Sequence, residues 1–297
     1  MSEFTRFIRG GRMALILNGK KLAEKLRRML KEEVKALTKR FGRQPALAVI
    51  TVGEDPASEI YVRNKVKACN EVGIRSLRRK LKTDVSQEEL NAVVQELNNN
   101  EDIDGVMVQL PLPEHLSCRE AVKFISSCKD VDGFHPVNMG MCMLGQYEEG
   151  LMPCTPAGVM KLLQEYHIEL KGKNAVVVGH SNIVGKPLAS MLLNADATVS
   201  VCHIHTAELK EFTTMADVLC VATGVPHLVK ADMVKEGVVV VDIGISRVKN
   251  RIVGDVDFEK VKEKAGAITP VPGGVGPMTV AMLLHNTIKA FKMRMVY

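Results

Sequence analysis

The chain reads as an α/β protein of two α/β domains, the later one a Rossmann-type doubly wound parallel sheet. Three observations predict this. From Ala46 onward, short apolar runs alternate with helical segments, the pattern of a mostly parallel sheet covered by helices. Near the middle, an irregular stretch rich in Met and Gly runs through Gly150 and interrupts the alternation. Beyond it, residues 174–188 read NAVVVGHSNIVGKPL, an apolar run ending at Gly179 with Gly185 opening a helix. A strand that turns through glycine into a helix N-terminus offers amides and the positive end of a dipole to an anion, as α/β proteins hold a pyrophosphate. The G-x5-G spacing matches neither G-x-G-x-x-G nor the Walker pattern, so by itself it leaves a ligand turn and a plain connection both open.

Composition narrows the class. At 297 residues, 46% hydrophobic and 25% charged, the chain is an ordinary globular protein long enough for two cores. No apolar run approaches the ~18 residues of a membrane span. The net charge of +6 is mild and much of the excess falls on one early helix, which reads as a solvated face. Eight Phe, four Tyr and no Trp give no stacking platform, so nucleic acid is not an expected partner. Seven scattered cysteines with no C-x-x-C suit a reducing, cytoplasmic setting. Residues 1–12 read as a ragged leader without a secretory signal, with structured sequence from Met13.

In order, Asn18 caps a helix to about Phe41, stopped by Gly42, with Leu22, Leu26, Met29, Leu30, Val34 and Leu37 as its apolar stripe. Ala46–Val52 is a buried strand, and a helix from near Ser58 ends before Gly73. Then follow a strand over 74–81, a capping box Ser86-x-x-Glu89 opening a helix, and a strand over 105–110 closed by Pro111-Leu112-Pro113. A helix over 119–127 leads to Asp130-Val131-Asp132-Gly133-Phe134 and the irregular stretch. Thr155-Pro156 reads as N-cap and first helical residue of a helix to about His167. Past the glycine turn come strands over 198–202, 218–222 and 238–243, with a helix over 207–215 between the first two. A loop over 270–277, with three prolines and three glycines, precedes a final helix from about Met278 to Lys292.

Few residues stand out chemically. Tyr61 and Lys65 lie four apart on one helix face, where an ammonium beside a phenol makes an acid/base pair. Spacing alone favours the plainer reading, a half-buried tyrosine and a solvent lysine. Short-chain dehydrogenases carry Y-x-x-x-K after the glycine turn, whereas this one comes long before Gly179. Gln109 ends an apolar strand, where ligands of open α/β sheets bind and where a polar side chain needs a partner. Asp132 is either a turn-forming side chain or a carboxylate that accepts two hydrogen bonds from a heterocycle edge. His203 and His205 suggest a metal only superficially, since no carboxylate or cysteine cluster completes a site. The acid that holds a ribose 2′-hydroxyl about 20 residues past the turn is missing over 202–206, which disfavours NAD and leaves room for the 2′-phosphate of NADP.

Six motifs in order then resemble one family. They are Tyr61-Val62-x-x-Lys65, Val108-Gln109-Leu110-Pro111-Leu112-Pro113, Lys129-Asp130-Val131-Asp132-Gly133-Phe134, Pro153-Cys154-Thr155-Pro156, Gly179-x-Ser181-x-Ile183-Val184-Gly185-x-Pro187, and Pro270 through Thr279. From Met13 onward the chain is similar to the bifunctional methylenetetrahydrofolate dehydrogenase/cyclohydrolases. The resemblance implies a folate-binding catalytic domain over 13–152, completed by the helix 278–297, and an NAD(P)-binding domain over 153–277, with an active-site cleft between them. It implies Lys65 as the central catalytic residue, Tyr61 against the folate, Gln109 tuning the lysine, Asp132 holding the pterin, and Gly276 and Pro277 touching folate. It maps the cofactor onto Gly179, His180, Ser181, Ile204 and Ile245, with NADP expected, NAD possible, and no metal. Tetrahydrofolate derivatives and a homodimer partner complete the expectation. Many members of the family carry Arg at the His180 position and Ser at the Ile204 position, so the resemblance implies a weaker, more pH-sensitive grip on the 2′-phosphate.

Overall fold

The computed structural model describes residues 14–249 and 251–296. The leader read at residues 1–12 and the start at Met13 lie outside them. The chain divides into two compact units. Of the described residues, the first holds Glu24–Cys154 together with those from Val280 onward, and the second holds those up to Ala23 together with Thr155–Thr279.

After β1 (Leu15–Ile16), helix α1 spans Gly19–Phe41. Asn18 Oδ1 accepts the Lys21 amide at 2.9 Å, satisfying one of the orphan donors at a helix start. Leu22, Leu30 and Val34 are buried, but Met29 is 61% exposed. It falls off the i, i+4 line of Leu22, Leu26 and Leu30 and leaves the stripe.

In the first unit, β2 (Ala46–Val52) is buried along its whole length and is flanked by α2 (Pro56–Val72) and β3 (Arg75–Leu81). Next come α3 (Gln87–Asn99), β4 (Gly105–Val108) and α4 (Cys118–Phe124). The capping box forms in full, with Ser86 Oγ accepting the Glu89 amide at 3.1 Å and Glu89 Oε2 accepting the Ser86 amide at 2.9 Å. The strands make a parallel sheet in the order β3-β2-β4. Period-2 alternation sends Leu47, Val49 and Met107 to one core with Val62, Cys69, Leu283 and Leu284, and Ala48, Ile50, Val106 and Val108 to another with Leu90, Val94 and Leu97.

The stretch expected to be irregular contains a helix, α5 (Pro136–Leu144). Its weak helix formers hide it, yet its ends carry ordinary signals. His135 caps it through Nδ1 with the Val137 amide at 3.2 Å, Pro136 takes the first turn, and Gly145 closes it in the left-handed conformation. Helix α6 (Cys154–Glu165) starts one residue before the expected cap, and Thr155 Oγ1 instead bonds Thr279 Oγ1 at 3.0 Å.

The second unit continues with β5 (Asn174–Val178), α7 (Gly185–Asn194), β6 (Thr198–Cys202), α8 (Leu209–Met215), β7 (Val218–Val221) and β8 (Val239–Asp242). Then come β9 (Ser246–Val248), β10 (Arg251–Val253), α9 (Phe258–Val261), β11 (Ala267–Ile268) and α10 (Val275–Val296). Six strands form a parallel sheet in the order β1-β11-β8-β7-β5-β6, the doubly wound arrangement expected. Strand order reverses at β5, and ligands of such sheets bind beyond the carboxyl end of the strand at that point. Residue Gly179 is the first after β5. Helix α10 begins at Val275, so Gly276 and Pro277 stand in its first turn and not in a loop. Proline is accepted there because the missing amide would have no intrahelical partner.

Candidate functional site

On the first unit, Lys65 and Gln109 meet although 44 residues separate them. Lys65 stands midway along α2, and Gln109 follows β4 by one residue, its amide still donating to Ile50 O at 2.8 Å. Lys65 Nζ donates to Gln109 Oε1 at 3.0 Å and lies 3.8 Å from Met107 Sδ. The Gln109 Nε2 donates to Leu110 O at 2.6 Å, which fixes the amide so that its oxygen faces the lysine. Tyr61, one helical turn before Lys65, is 47% exposed. Gln109 and Pro111 also line a small recess with Thr51, Gly53, Glu59 and Arg78.

Asp132 belongs to the same constellation. Desolvation pushes its carboxyl up to about 6, with the Lys65 charge pulling it down and Asp130 adding to the rise. Its turn is held by groups that spacing did not single out. Asp130 Oδ2 accepts the His135 amide at 2.7 Å and Asn138 Nδ2 at 2.9 Å. Asn286 Nδ2 donates to Val131 O at 2.9 Å and to Met152 O at 2.8 Å. Cys154 Sγ donates to Val131 O at 3.2 Å, and burial raises this thiol well above its usual value. A buried asparagine facing two carbonyls is the signal a sequence reader would need, and it appears only once the helix is docked.

On the second unit, Gly179 has φ of +115°, and a Cβ on it would meet Ala222 O at 2.2 Å, so only glycine fits. Ser181 closes the turn on itself: its Oγ accepts the Val184 amide at 3.2 Å and the Gly185 amide at 3.4 Å, and its carbonyl accepts the Lys186 amide at 3.1 Å. The donors at the start of α7 are therefore engaged within the turn. The amides of His180, Ser181, Asn182 and Ile183 find no partner among the described residues. The His180 ring packs on His203 at 4.8 Å between centroids, and His203 on His205 at 5.9 Å. Ile204 is 89% exposed and Ile245 46% exposed. The Ile245 side chain comes within 3.6 Å of the Cβ position of Gly276, which puts the expected folate residues Gly276 and Pro277 on the same unit as the cofactor residues.

Comparison with known proteins places the chain in one family. Residues 17–132 match the catalytic domain of tetrahydrofolate dehydrogenase/cyclohydrolase, and residues 153–295 match the NAD(P)-binding domain of the same family. The chain is 59% identical over 285 residues to a bifunctional protein FolD of Aquifex aeolicus, covering 96% of this chain and 98% of that protein. A crystal structure of the bifunctional dehydrogenase/cyclohydrolase of Campylobacter jejuni superposes with a TM-score of 0.93 at 54% identity, covering 95% of this chain and 100% of that one. The Trypanosoma brucei dehydrogenase-cyclohydrolase, solved with NADP and an inhibitor, superposes with a TM-score of 0.90 at 39% identity over 95% of this chain and 98% of that one.

Proposed function

The chain belongs to the tetrahydrofolate dehydrogenase/cyclohydrolase family, and from that premise we propose how its residues carry the two reactions. It oxidises 5,10-methylenetetrahydrofolate to the methenyl cation with NADP and hydrolyses that cation to 10-formyltetrahydrofolate. The observation that carries the residue assignment is the Lys65–Gln109 bond at 3.0 Å with the Asp132 carboxyl within reach of the lysine's charge.

Asp132 accepts two hydrogen bonds from the amidine-like edge of the pterin, and Tyr61 covers the ring. The Gly179 turn would hold a dinucleotide by its diphosphate, and the nicotinamide of that group would supply the hydride acceptor. The free amides over 180–183 and the glycine that admits close approach fit the diphosphate of such a group. Hydride loss leaves a cationic carbon, and this step needs positioning more than acid/base help. Water then adds to that carbon. Lys65 takes one proton of the water and passes it to the ring nitrogen as the C–N bond breaks, and the second water proton goes to solvent as the formyl C=O forms, while Gln109 Oε1 holds Nζ in place. Retention of both Lys65 and Gln109 favours the bifunctional reading over a dehydrogenase that stops at the methenyl product.

The finer cofactor reading rests on three neighbouring imidazoles, His180 tilted against His203 and His203 edge-on to His205. His180, with His203 and His205, takes the 2′-phosphate of NADP, and NAD remains a usable second cofactor. Folate derivatives are the small-molecule partners. We also read the protein as a cytoplasmic homodimer, which light scattering tests for its oligomeric half. No helix among the described residues is long and apolar enough to cross a membrane. Chromatography of the folate products after incubation with methylenetetrahydrofolate and NADP tests the pair of activities. Accumulation of 10-formyltetrahydrofolate is expected, and a halt at the methenyl compound would remove the second one.

A further inference from the structure

At the carboxyl end of the second unit's sheet lies a buried carboxylate that the reaction does not use. Asp255 is fully buried. Its Oδ2 accepts three bonds, from the Thr223 amide at 2.6 Å, the Thr223 hydroxyl at 2.9 Å and the Gly224 amide at 2.9 Å. Its Oδ1 lies so close to Gly244 that a Cβ there would meet it at 2.0 Å, and it has no hydrogen-bond partner.

These contacts join specific pieces of chain. Thr223 and Gly224 belong to the turn leaving β7, and Gly244 and Ile245 to the turn leaving β8. Ala222, just before Thr223, is the residue whose carbonyl closes over Gly179 at the end of β5. Ser246 Oγ adds a bond to Gly224 O at 3.1 Å. Asp242 anchors the arrangement from below, with Oδ1 accepting the Gly244 amide at 3.1 Å and the Asp255 amide at 3.0 Å, and Oδ2 accepting the Val256 amide at 3.0 Å. The turns at the ends of β7 and β8 are thus linked through one side chain, and Ala222 O brings the β7 turn against Gly179 at the end of β5, where a doubly wound sheet receives its ligand. Leaving a carboxylate oxygen buried and unpaired is costly, and such exceptions call for a reason beyond packing.

We propose that Asp255 is a positioning residue for the dinucleotide, setting the Thr223–Gly224 turn against Gly244–Ile245 so that Gly179 and Ile245 present one continuous surface to it. The inference rests on the reading that this end of the sheet binds NADP. A purely structural Asp255 would weaken the fold as a whole. A positioning Asp255 weakens dinucleotide binding alone, and the hydrolysis of methenyltetrahydrofolate, which uses no dinucleotide, reports on the rest of the protein.

The experiment compares wild type, Asp255→Asn, Thr223→Val and Thr223→Ser by calorimetric titration with NADP, by KM for NADP, and by hydrolysis of methenyltetrahydrofolate supplied directly. Replacing the charged acceptor of three donors in Asp255→Asn raises Kd and KM for NADP about tenfold, with hydrolysis unchanged. Thr223→Val shifts both in the same direction by less, and Thr223→Ser, which keeps the hydroxyl, restores them. Unchanged NADP binding in Asp255→Asn, or a parallel fall of both activities with a lowered Tm, overturns the proposal. If Asp255→Asn does not fold, unchanged NADP binding in Thr223→Val overturns it. Absence of NADP binding in the wild type would instead overturn the function reading on which it stands.

Discussion

Replacing Lys65 with methionine separates the two reactions. Methionine has nearly the length of lysine and meets a compatible neighbour, since Nζ already lies 3.8 Å from Met107 Sδ. The fold is therefore expected to survive. What disappears is the amine 3.0 Å from Gln109 Oε1 and the positive charge that holds Asp132 down. Loss of a positioned general base costs about 10²–10⁴ in rate, or roughly 3–5 kcal/mol of transition-state stabilisation, and that loss falls on hydrolysis. The charge has a second consequence. With Lys65 present the Asp132 carboxyl sits at about 6, and without it the carboxyl rises further. More of it is then protonated at neutral pH, and a protonated acid accepts the pterin edge less well. Lys65→Met should therefore raise KM for folate in the dehydrogenase reaction and move the inflection of KM with pH upward. The assay is steady-state hydrolysis of methenyltetrahydrofolate beside NADP reduction, each across pH 5–9, with circular dichroism to establish the fold. A folded Lys65→Met that keeps hydrolysis within about tenfold of wild type would refute the base assignment.

Other substitutions test separate parts of the account. The Asp132 carboxyl is held at about 6 in the folded protein against an ordinary 3.8, so the cost of its ionisation to folding is absent below about 4, builds between 4 and 6, and is full above 6. Asp132→Asn should accordingly raise Tm more at pH 8 than at pH 5 while lowering folate affinity at both, a trade of function for stability read by calorimetry and KM. His180→Arg supplies a guanidinium whose paired N–H groups suit a phosphate, so the ratio of kcat/KM for NADP over NAD should rise, and an unchanged ratio would remove His180 from the phosphate site. Asp104, fully buried, binds Arg43 at 2.8 Å, Arg294 at 2.9 Å and the Ala46 amide at 2.8 Å. Asp104→Ala removes the carboxylate shared by both guanidiniums and the acceptor of the Ala46 amide, and should cost about 3 kcal/mol in urea unfolding.

The fold was legible where a single element carries its own signal. The Ser86–Glu89 box, the buried run Ala46–Val52 and the Asn18 cap are local, and local chemistry decides them. Two-residue strands are not. Leu15–Ile16 has no period to read, and its partner Ala267–Ile268 lies some 250 residues away. Helix α5 carries little helical signal because Pro, Val, Asn, Gly and Cys fill five of its nine positions, although His135-Pro136 and Gly145 mark its ends. In the site, spacing placed Tyr61 and Lys65 on one face but gave no hint that Gln109 would supply the lysine's acceptor. That contact depends on β4 lying beside β2 under α2. Asn286 and Asp255 were invisible for the same reason, since their partners are backbone groups from other elements.

The central claim is that one chain performs oxidation and hydrolysis in sequence. A single-turnover experiment with excess enzyme, methylenetetrahydrofolate and NADP tests it most directly, following reduced cofactor and the methenyl absorbance together. The account predicts one equivalent of reduced cofactor, a methenyl signal that rises and then decays to 10-formyltetrahydrofolate in wild type, and a signal that rises and persists in Lys65→Met. Decay at the spontaneous rate in wild type, or decay in Lys65→Met as fast as in wild type, would contradict it.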